Sequence, residues 1–430
     1  MVLWTYADAI RGDSSEESEA TSYEEDDDAD VAEDGSPRID FMKRLPAELR
    51  TLVFCTLDFR SILTCRRVCK GWKEAAEVTA VWRYQFRLRR RWAVKPETPP
   101  NIDWRMMFKT RYLLDRRWER GACVHAYNLD GHEESVYCVQ FDDEKIITGS
   151  RDRSVRVWDT TTGKQLRALN AASAALENNL IAHTGSILCL QYDNKMMLTG
   201  SSDGTAIIWE LPAYRAVRQL HDHKDGVLDL SFNDRYIATC SKDGTLVIRD
   251  RREVGFPLRH SVVACSGSVN SVHIQRSFIA TAGVDGIVKV WNADSGRLLM
   301  SLHGHSRGLA CVSLSPDART IISGGNDNTI RVWDTRNQHC LFEFAGHESL
   351  VRTLHVFGRK VLSGSYDQTL KVWDLDYRKK VLDLRKYHGN WIFSAKMDSK
   401  RIVSTSFGAK PVVLDFTRGL DEDYVRYISR

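Results

Sequence analysis

The sequence predicts an all-β domain of seven repeated units, preceded by a small all-α module and an acidic tail. Three observations carry this: a segment that returns about every 40 residues, polar residues at fixed spacing inside each copy, and an abrupt charge division near residue 40.

The tail comes first. Residues 1–40 hold 14 Asp and Glu against two Arg, a formal charge of −12 in a chain of net +4, so the rest carries +16. With few large apolar side chains, such a segment buries too little surface to offset the entropy of ordering, and residues 1–40 are expected to be a disordered acidic tail. No apolar run reaches the roughly 18 to 20 residues of a membrane span, and the acidic start lacks the basic and apolar parts of a secretory signal. The expected location is cytoplasm or nucleus. Ten cysteines without a CxxC pair fit a reducing compartment, and Cys138, Cys189 and Cys311 sit in apolar strand-like runs, as buried small hydrophobes rather than metal ligands. Neither a metal nor a cofactor is expected.

Residues 41–86, "FMKRLPAELRTLVFCTLDFRSILTCRRVCKGWKEAAEVTAVWRYQF", carry helix signals. Pro46 suits a first helical turn, and Leu49, Leu52, Val53 and Leu57 form an apolar stripe. Asp58 is placed to cap the next helix, where Ile62, Leu63, Val68, Cys69 and Trp72 continue the spacing. Residues 87–121 pass from a basic run through a Pro-rich break to an amphipathic segment. Its Trp104, Phe108, Tyr112, Leu113 and Trp118 read as a docked linker helix rather than a nucleic-acid surface, since no nucleic-acid-binding signature accompanies the charge.

The repeats occupy residues 122–416. "GSRDRSVRVWD" at Gly149 returns as "GSSDGTAIIWE", "CSKDGTLVIRD", "AGVDGIVKVWN", "GGNDNTIRVWD" and "GSYDQTLKVWD", with a degenerate seventh copy, "TSFGAKPVVLD". Asp152, Asp203, Asp243, Asp285, Asp327 and Asp367 mark six copies, and Gly408 stands in the seventh. His132, His183, His223, His305, His347 and His388 precede them. A hydroxyl stands four residues before each mark, from Thr148 to Ser404, and Trp usually six after. Short alternating β-branched segments between the marks predict antiparallel strands. His, hydroxyl, Asp and Trp can then form one hydrogen-bonded chain per unit, which is a structural role rather than a catalytic one. Three copies depart: Cys265 replaces a His, Arg249 replaces a Trp, and Gly408 with Leu414 replaces Asp and Trp. These units are expected to be softer, and Arg249 is read as repeat decay rather than a functional surface residue. Residues 417–430 are read as a C-terminal tail.

With these motifs the chain resembles a seven-bladed WD-repeat β-propeller. That resemblance implies that "CVHAYNL" supplies the outer strand of the last blade and closes the ring. "LPAEL", "VCKGW" and "VW" in residues 41–86 resemble an F-box, which implies binding of the Skp adaptor and, through it, the cullin and RING subunits of an SCF ubiquitin ligase. Leu45, Pro46, Leu49, Leu63, Val68, Cys69 and Trp72 are the candidates for the adaptor face, the alternative being that they fill the module's core.

Across the propeller, "SVYCVQFDDEKIITGSRD", "HTGSILCLQYDNKMMLTGSSD", "HSRGLACVSL" and "GSYDQTLKVWDL" resemble the β-transducin-repeat-containing (β-TrCP) substrate receptors. The resemblance implies recognition of doubly phosphorylated AspSerGlyXXSer segments by Tyr137, Arg151, Ser186, Ser202, Arg307, Gly308, Ala310, Arg352 and Tyr366. Arginine suits that ligand, because its planar fork makes charge-assisted bonds to phosphate oxygens. Trp391 departs from the pattern, standing where the family has another Arg. The insertion "LNAASAALENN" from Leu169 enters the loop before His183, on the same expected face. In the tail, "DSSEES" resembles the target motif with Ser15 in place of Gly. A non-catalytic receptor subunit of a ubiquitin ligase is therefore expected, with phosphorylated proteins as ligands. The alternative is a WD-repeat scaffold that assembles a complex without directing degradation.

Overall fold

Each repeat folds as a four-stranded antiparallel sheet, and the computed structural model, which describes residues 44–89, 92–170 and 181–429, contains seven of them. Blade 1 is typical, with strands Val136–Phe141, Lys145–Ser150, Val155–Asp159 and Gln165–Leu169 paired in chain order from the inside out. Blades 2 to 6 repeat this order, their inner strands beginning at Ile187, Val227, Val269, Leu309 and Val351.

Blade 7 differs. Its strands Ile392–Met397, Arg401–Ser406 and Val412–Asp415 are joined on the outside by His125–Asn128, in a register that pairs His125 with Asp415 and Asn128 with Val412. Residues nearly 300 positions apart thus share one sheet, as "CVHAYNL" implied, and the ring is closed by backbone hydrogen bonds.

Apolar faces of neighbouring blades meet in shared clusters. Cys311 and Ile322 of blade 5 pack with Val351, Leu354 and Trp373 of blade 6. Leu129, Ile146 and Trp158 pack with Val403 and Val413 across the closure. The Gly of "GS" has a packing reason: a Cβ on Gly149 would lie 2.6 Å from Ile187 Cγ2 of the next blade.

The polar chain expected in each repeat is present in full in blades 1, 5 and 6, while in blade 2 His183 Nδ1 turns to Thr205 Oγ1 at 3.0 Å and lies 3.5 Å from Asp203. In blade 6, Trp373 Nε1 donates to Ser363 Oγ at 2.8 Å, Ser363 Oγ lies 2.7 Å from His347 Nε2, and His347 Nδ1 lies 2.7 Å from Asp367. Burial alone raises the Asp367 carboxyl, but hydrogen bonds from His347 and Thr369 outweigh it and hold the group well below the usual carboxylate range. The departing blades find substitutes. In blade 4, Lys289 Nζ donates to the Asp285 carboxylate at 2.8 Å and to Ala264 O at 2.6 Å. In blade 3, Arg249 pairs with Asp222 and also donates to Phe256 O at 2.5 Å. Arg249 is therefore an internal replacement for the indole. In blade 7, His388 keeps its 2.7 Å contact with Ser404, and Gly408 supplies no carboxylate.

Two compact units are present, residues 114–420 with the propeller and residues up to Leu113 together with Asp421–Ser429. In the latter, the described helices are α1 (Ala47–Thr56), α2 (Phe59–Cys65), α3 (Lys70–Glu77), α4 (Thr79–Leu88), the first part of α5 (Trp104–Arg120) and α6 (Glu422–Val425). Asp58 caps α2, accepting from Arg60 N at 2.8 Å. Phe108 lies among Phe59, Trp82 and Trp92, with ring centroids 5.1 to 5.4 Å away. The first part of the segment expected as a linker is thus core of the helical unit. Residues from Leu114 belong to the propeller unit, where Trp118 stacks on Phe416 at 4.1 Å.

The expected C-terminal tail is corrected in part. Residues 421–429 are fixed to the helical unit by the Val94–Ile428 bridge, and Arg111 Nη1 donates to Ser429 O at 2.8 Å. All ten cysteines are unpaired. Among the described residues no helix is long and apolar enough to cross a membrane.

Candidate functional site

One hydrogen bond, repeated seven times, builds the mouth of the propeller. In every blade the backbone N–H of the residue just before the repeat Asp, or before Gly408, donates to a carbonyl in the loop entering the inner strand. The pairs are Arg151–Ser135, Ser202–Ser186, Lys242–Gly226, Val284–Ser268, Asn326–Gly308, Tyr366–Leu350 and Phe407–Trp391, at 2.8 to 3.1 Å. Two positions beyond the acceptor, on the inner strand, stand Tyr137, Leu188, Leu228, Asn270, Ala310, Arg352 and Phe393, which line a central cavity of about 620 Å³.

Every residue expected to recognise phosphate falls on these rings or next to them. Arg151, Ser202 and Tyr366 occupy the turn ring, Ser186, Gly308 and Trp391 the loop ring, and Tyr137, Ala310 and Arg352 the strand ring. Arg307 immediately precedes Gly308 and is exposed. Direct contacts join some of them. Ser202 Oγ accepts from Ser186 N at 2.9 Å, Arg352 Nη1 donates to Ala310 O at 3.4 Å, and Tyr366 stacks on Trp391 with centroids 4.9 Å apart and planes 12° apart.

The same rings contain residues that the resemblance did not supply. Phe393 and Phe407 extend the Tyr366–Trp391 stack into an aromatic sector that reaches Tyr137, with Tyr137 and Phe393 centroids 5.0 Å apart. Lys242 holds the turn position in blade 3. The signal for Lys242 and Phe407 was in the sequence, since both stand immediately before the repeat Asp or its Gly replacement. Deeper in the cavity, Asp229 is raised by burial and Lys396 is lowered by it. His273 and His355 accept backbone N–H groups of the next blade through Nδ1, at 3.2 and 3.1 Å.

In the helical unit the proposed adaptor residues divide by exposure. Pro46, Leu49, Val68 and Cys69 are exposed, with Leu49 at 46% and Val68 at 60%, and Leu52 at 61% adds to them. Leu45, Leu63 and Trp72 are partly buried, and Trp72 meets the buried Phe54 edge-on at 6.0 Å. The stripe read from the sequence is therefore divided: Ile62 faces inward while Leu49, Leu52 and Val53 face solvent, and the buried residue of α1 is Phe54, which the stripe did not include. The acidic tail and residues 171–179 of the insertion lie outside the described residues.

The architecture defines a WD-repeat propeller joined to a small helical module. Comparison with known families agrees: the WD domain, G-beta repeat family matches residues 121–159, 175–210, 214–250, 257–292, 296–334 and 338–374, and the F-box-like family matches 42–88. The chain belongs to the WD-repeat family and carries an F-box-like module ahead of its repeats.

Curated relatives include cell division control protein 4 of Candida albicans, 24% identical over 73% of this chain and 52% of its own length. They also include a probable E3 ubiquitin ligase complex SCF subunit sconB of Arthroderma benhamiae, 27% identical over 31% of this chain and 25% of its own, and an F-box protein of Saccharomyces cerevisiae, 26% identical over 31% and 25%. The chain spans about half or less of the length of these relatives. Among solved structures, the WD40 propeller domain of Doa1 aligns with TM-score 0.58 at 23% identity, covering 67% of this chain and 94% of that one, a likeness of fold.

Proposed function

We propose that this chain is the substrate-receptor subunit of an SCF-type ubiquitin ligase, a non-catalytic adaptor that holds a phosphorylated protein on its propeller mouth and the Skp adaptor on its helical module. The observation that carries the reading is the set of exposed apolar side chains Leu49, Leu52 and Val68 in an F-box-like module, on a chain whose propeller has Arg352 lining its central cavity and Arg307 exposed beside the loop ring. Single exposed apolar residues are ordinary, but several on one small module are characteristic of a partner surface. Relatives described as SCF subunits support the same reading.

The chemistry asked of the chain is positional. Holding a target near a charged ubiquitin-conjugating enzyme raises the effective concentration of its lysines, and no side chain here need touch the thioester. Recognition rests on guanidinium groups and on hydrogen bonds from the mouth, which suit a phosphoserine bearing nearly two negative charges. The cytoplasm and nucleus, where kinases and SCF subunits meet, are the proposed compartments.

The test has two arms. The purified protein is mixed with a Skp adaptor and assayed for complex formation, and a doubly phosphorylated AspSerGlyXXSer peptide is titrated beside its unphosphorylated form and against the Arg352→Ala protein. Adaptor binding together with phosphate-dependent peptide binding lost in the variant supports the receptor. A folded protein that ignores the adaptor returns the reading to a scaffold.

A further inference from the structure

The cations of the mouth are not equivalent. Arg151 Nε lies 3.2 Å from the Glu134 carboxylate, with both side chains more than half exposed. The fold builds this pair. The Arg151 N–H bond to Ser135 O holds the turn beside the loop, so that the residue before Ser135 faces Arg151.

The corresponding pairs elsewhere are Gly185 with Ser202, Gly267 with Val284, Arg307 with Asn326, Ser349 with Tyr366 and Asn390 with Phe407, none of which sets an acid against a base. Blade 3 has the other example, Asp225 with Lys242, at 3.5 Å. On the blade 1 loops Glu133 and Arg153 are also exposed and of opposite sign, so Arg151 is not part of a purely cationic rim. Among the described residues no acid lies within ion-pair distance of Arg307 or Arg352.

An exposed ion pair is weak and a phosphate can displace it, but the displaced carboxylate stays beside the anion and repels it. We propose that Glu134 is a specificity-determining residue that weakens the blade 1 anion subsite, so that the ligand is a peptide read mainly through one phosphate, held by Arg307 and Arg352 on blades 5 and 6. This inference rests on the reading of the mouth as a phosphopeptide site. It differs from the doubly phosphorylated ligand implied by the β-TrCP resemblance.

The test titrates four forms of one AspSerGlyXXSer peptide (unphosphorylated, each single phosphoserine, and both) into the full chain as wild type, Glu134→Gln, Arg151→Ala and the double variant. In the wild type the second phosphate is expected to improve on the better single form by less than about threefold, and Arg151→Ala to matter little. Glu134→Gln is expected to strengthen binding of the doubly phosphorylated form by about tenfold while leaving the better single form unchanged, and Arg151→Ala in that background to remove the gain. A wild-type gain of about tenfold from the second phosphate, or no response to Glu134→Gln, overturns the inference and leaves the receptor reading standing. Failure of every phosphorylated form to bind the folded wild type overturns both.

Discussion

Arg249 Nε donates to the Asp222 carboxylate at 2.7 Å, in the slot where most other repeats place a tryptophan. The position of Asp222, just before the repeat His, is Gly131, Ala182, Ala264, Gly304 and Gly346 in other copies with a Trp. Space explains the small residues: a Cβ on Gly131 would lie 2.8 Å from Trp158 Cη2, and one on Gly304 would lie 3.0 Å from Trp333 Cη2. Where Arg replaces Trp, an acid replaces the small residue. With each side chain only 13% exposed, Asp222→Ala is expected to cost about 3 kcal/mol by stranding the guanidinium. Asp222→Gly with Arg249→Trp should recover most of that loss, and urea denaturation of the full double-mutant cycle measures it.

The helical face gives a clean separation of binding from folding. Leu49→Asp and Val68→Glu replace exposed side chains, so each should change stability by less than about 0.5 kcal/mol while abolishing adaptor capture. Thermal unfolding and a binding assay on the same preparation check both halves. Trp82→Ala, by contrast, removes a buried ring whose Nε1 donates to Ala76 O at 2.8 Å, and is expected to unfold the module at a cost of about 3 to 5 kcal/mol.

Trp391 supplies a stacking surface where the resembled family places a charge. Trp391→Arg is expected to strengthen phosphopeptide binding several-fold and to steepen its decline with added salt, because a cation is added to the mouth at a half-exposed position. Isotherms at two ionic strengths provide the comparison. Weaker binding by the variant at both would mean that the indole itself contacts the ligand.

Acid should destabilise the propeller through its buried histidines. Burial, reinforced by Lys396, lowers His273 to about 4, burial lowers His388 to about 4, and burial with Lys396 and His273 lowers His355 as well. Unfolded, these imidazoles titrate near 6.5. Between the two values the unfolded chain binds more protons, so stability is full above about pH 6.5 and falls as the pH drops toward 4. Each group accounts for at most about 1.4 kcal/mol per pH unit in that window. Urea midpoints at pH 7.0, 5.5 and 4.5 should decline in that order, and His388→Gln should flatten the decline.

The closing strand predicts where local unfolding begins. Removing residues 122–129 deletes the partner of Val412–Asp415 and takes Leu129 from the cluster shared by blades 1 and 7. Hydrogen exchange should then lose protection in both blades, with blades 3 to 5 least affected.

Much of the architecture was legible because it is written locally and repeatedly. The spacing of His, hydroxyl, Asp and Trp marks all seven units, completely in four and with substitutions in three, and each copy corroborates the others. The turn and loop positions of the mouth were equally readable, since they are defined by their distance from the repeat Asp. Exposure was not legible. Leu49 and Phe54 both belong to apolar helical spacing, and only the packing of the helices sends one to solvent and the other to the core. Nor did the C-terminal segment announce that it would pair with residues near Val94, because a two-residue bridge has no periodic signature.

The repeat pattern was enough to specify seven antiparallel units and their internal polar chains, and cap and apolar-spacing signals a helical module in front, because those features depend on near neighbours in the chain. Which charges at the mouth remain available, how Arg249 is compensated across 27 positions, and which face of the helical module is left open were decided by tertiary structure. Those outcomes depend on distances through space, where a single facing side chain such as Glu134 or Asp222 changes the energy of a neighbouring cation.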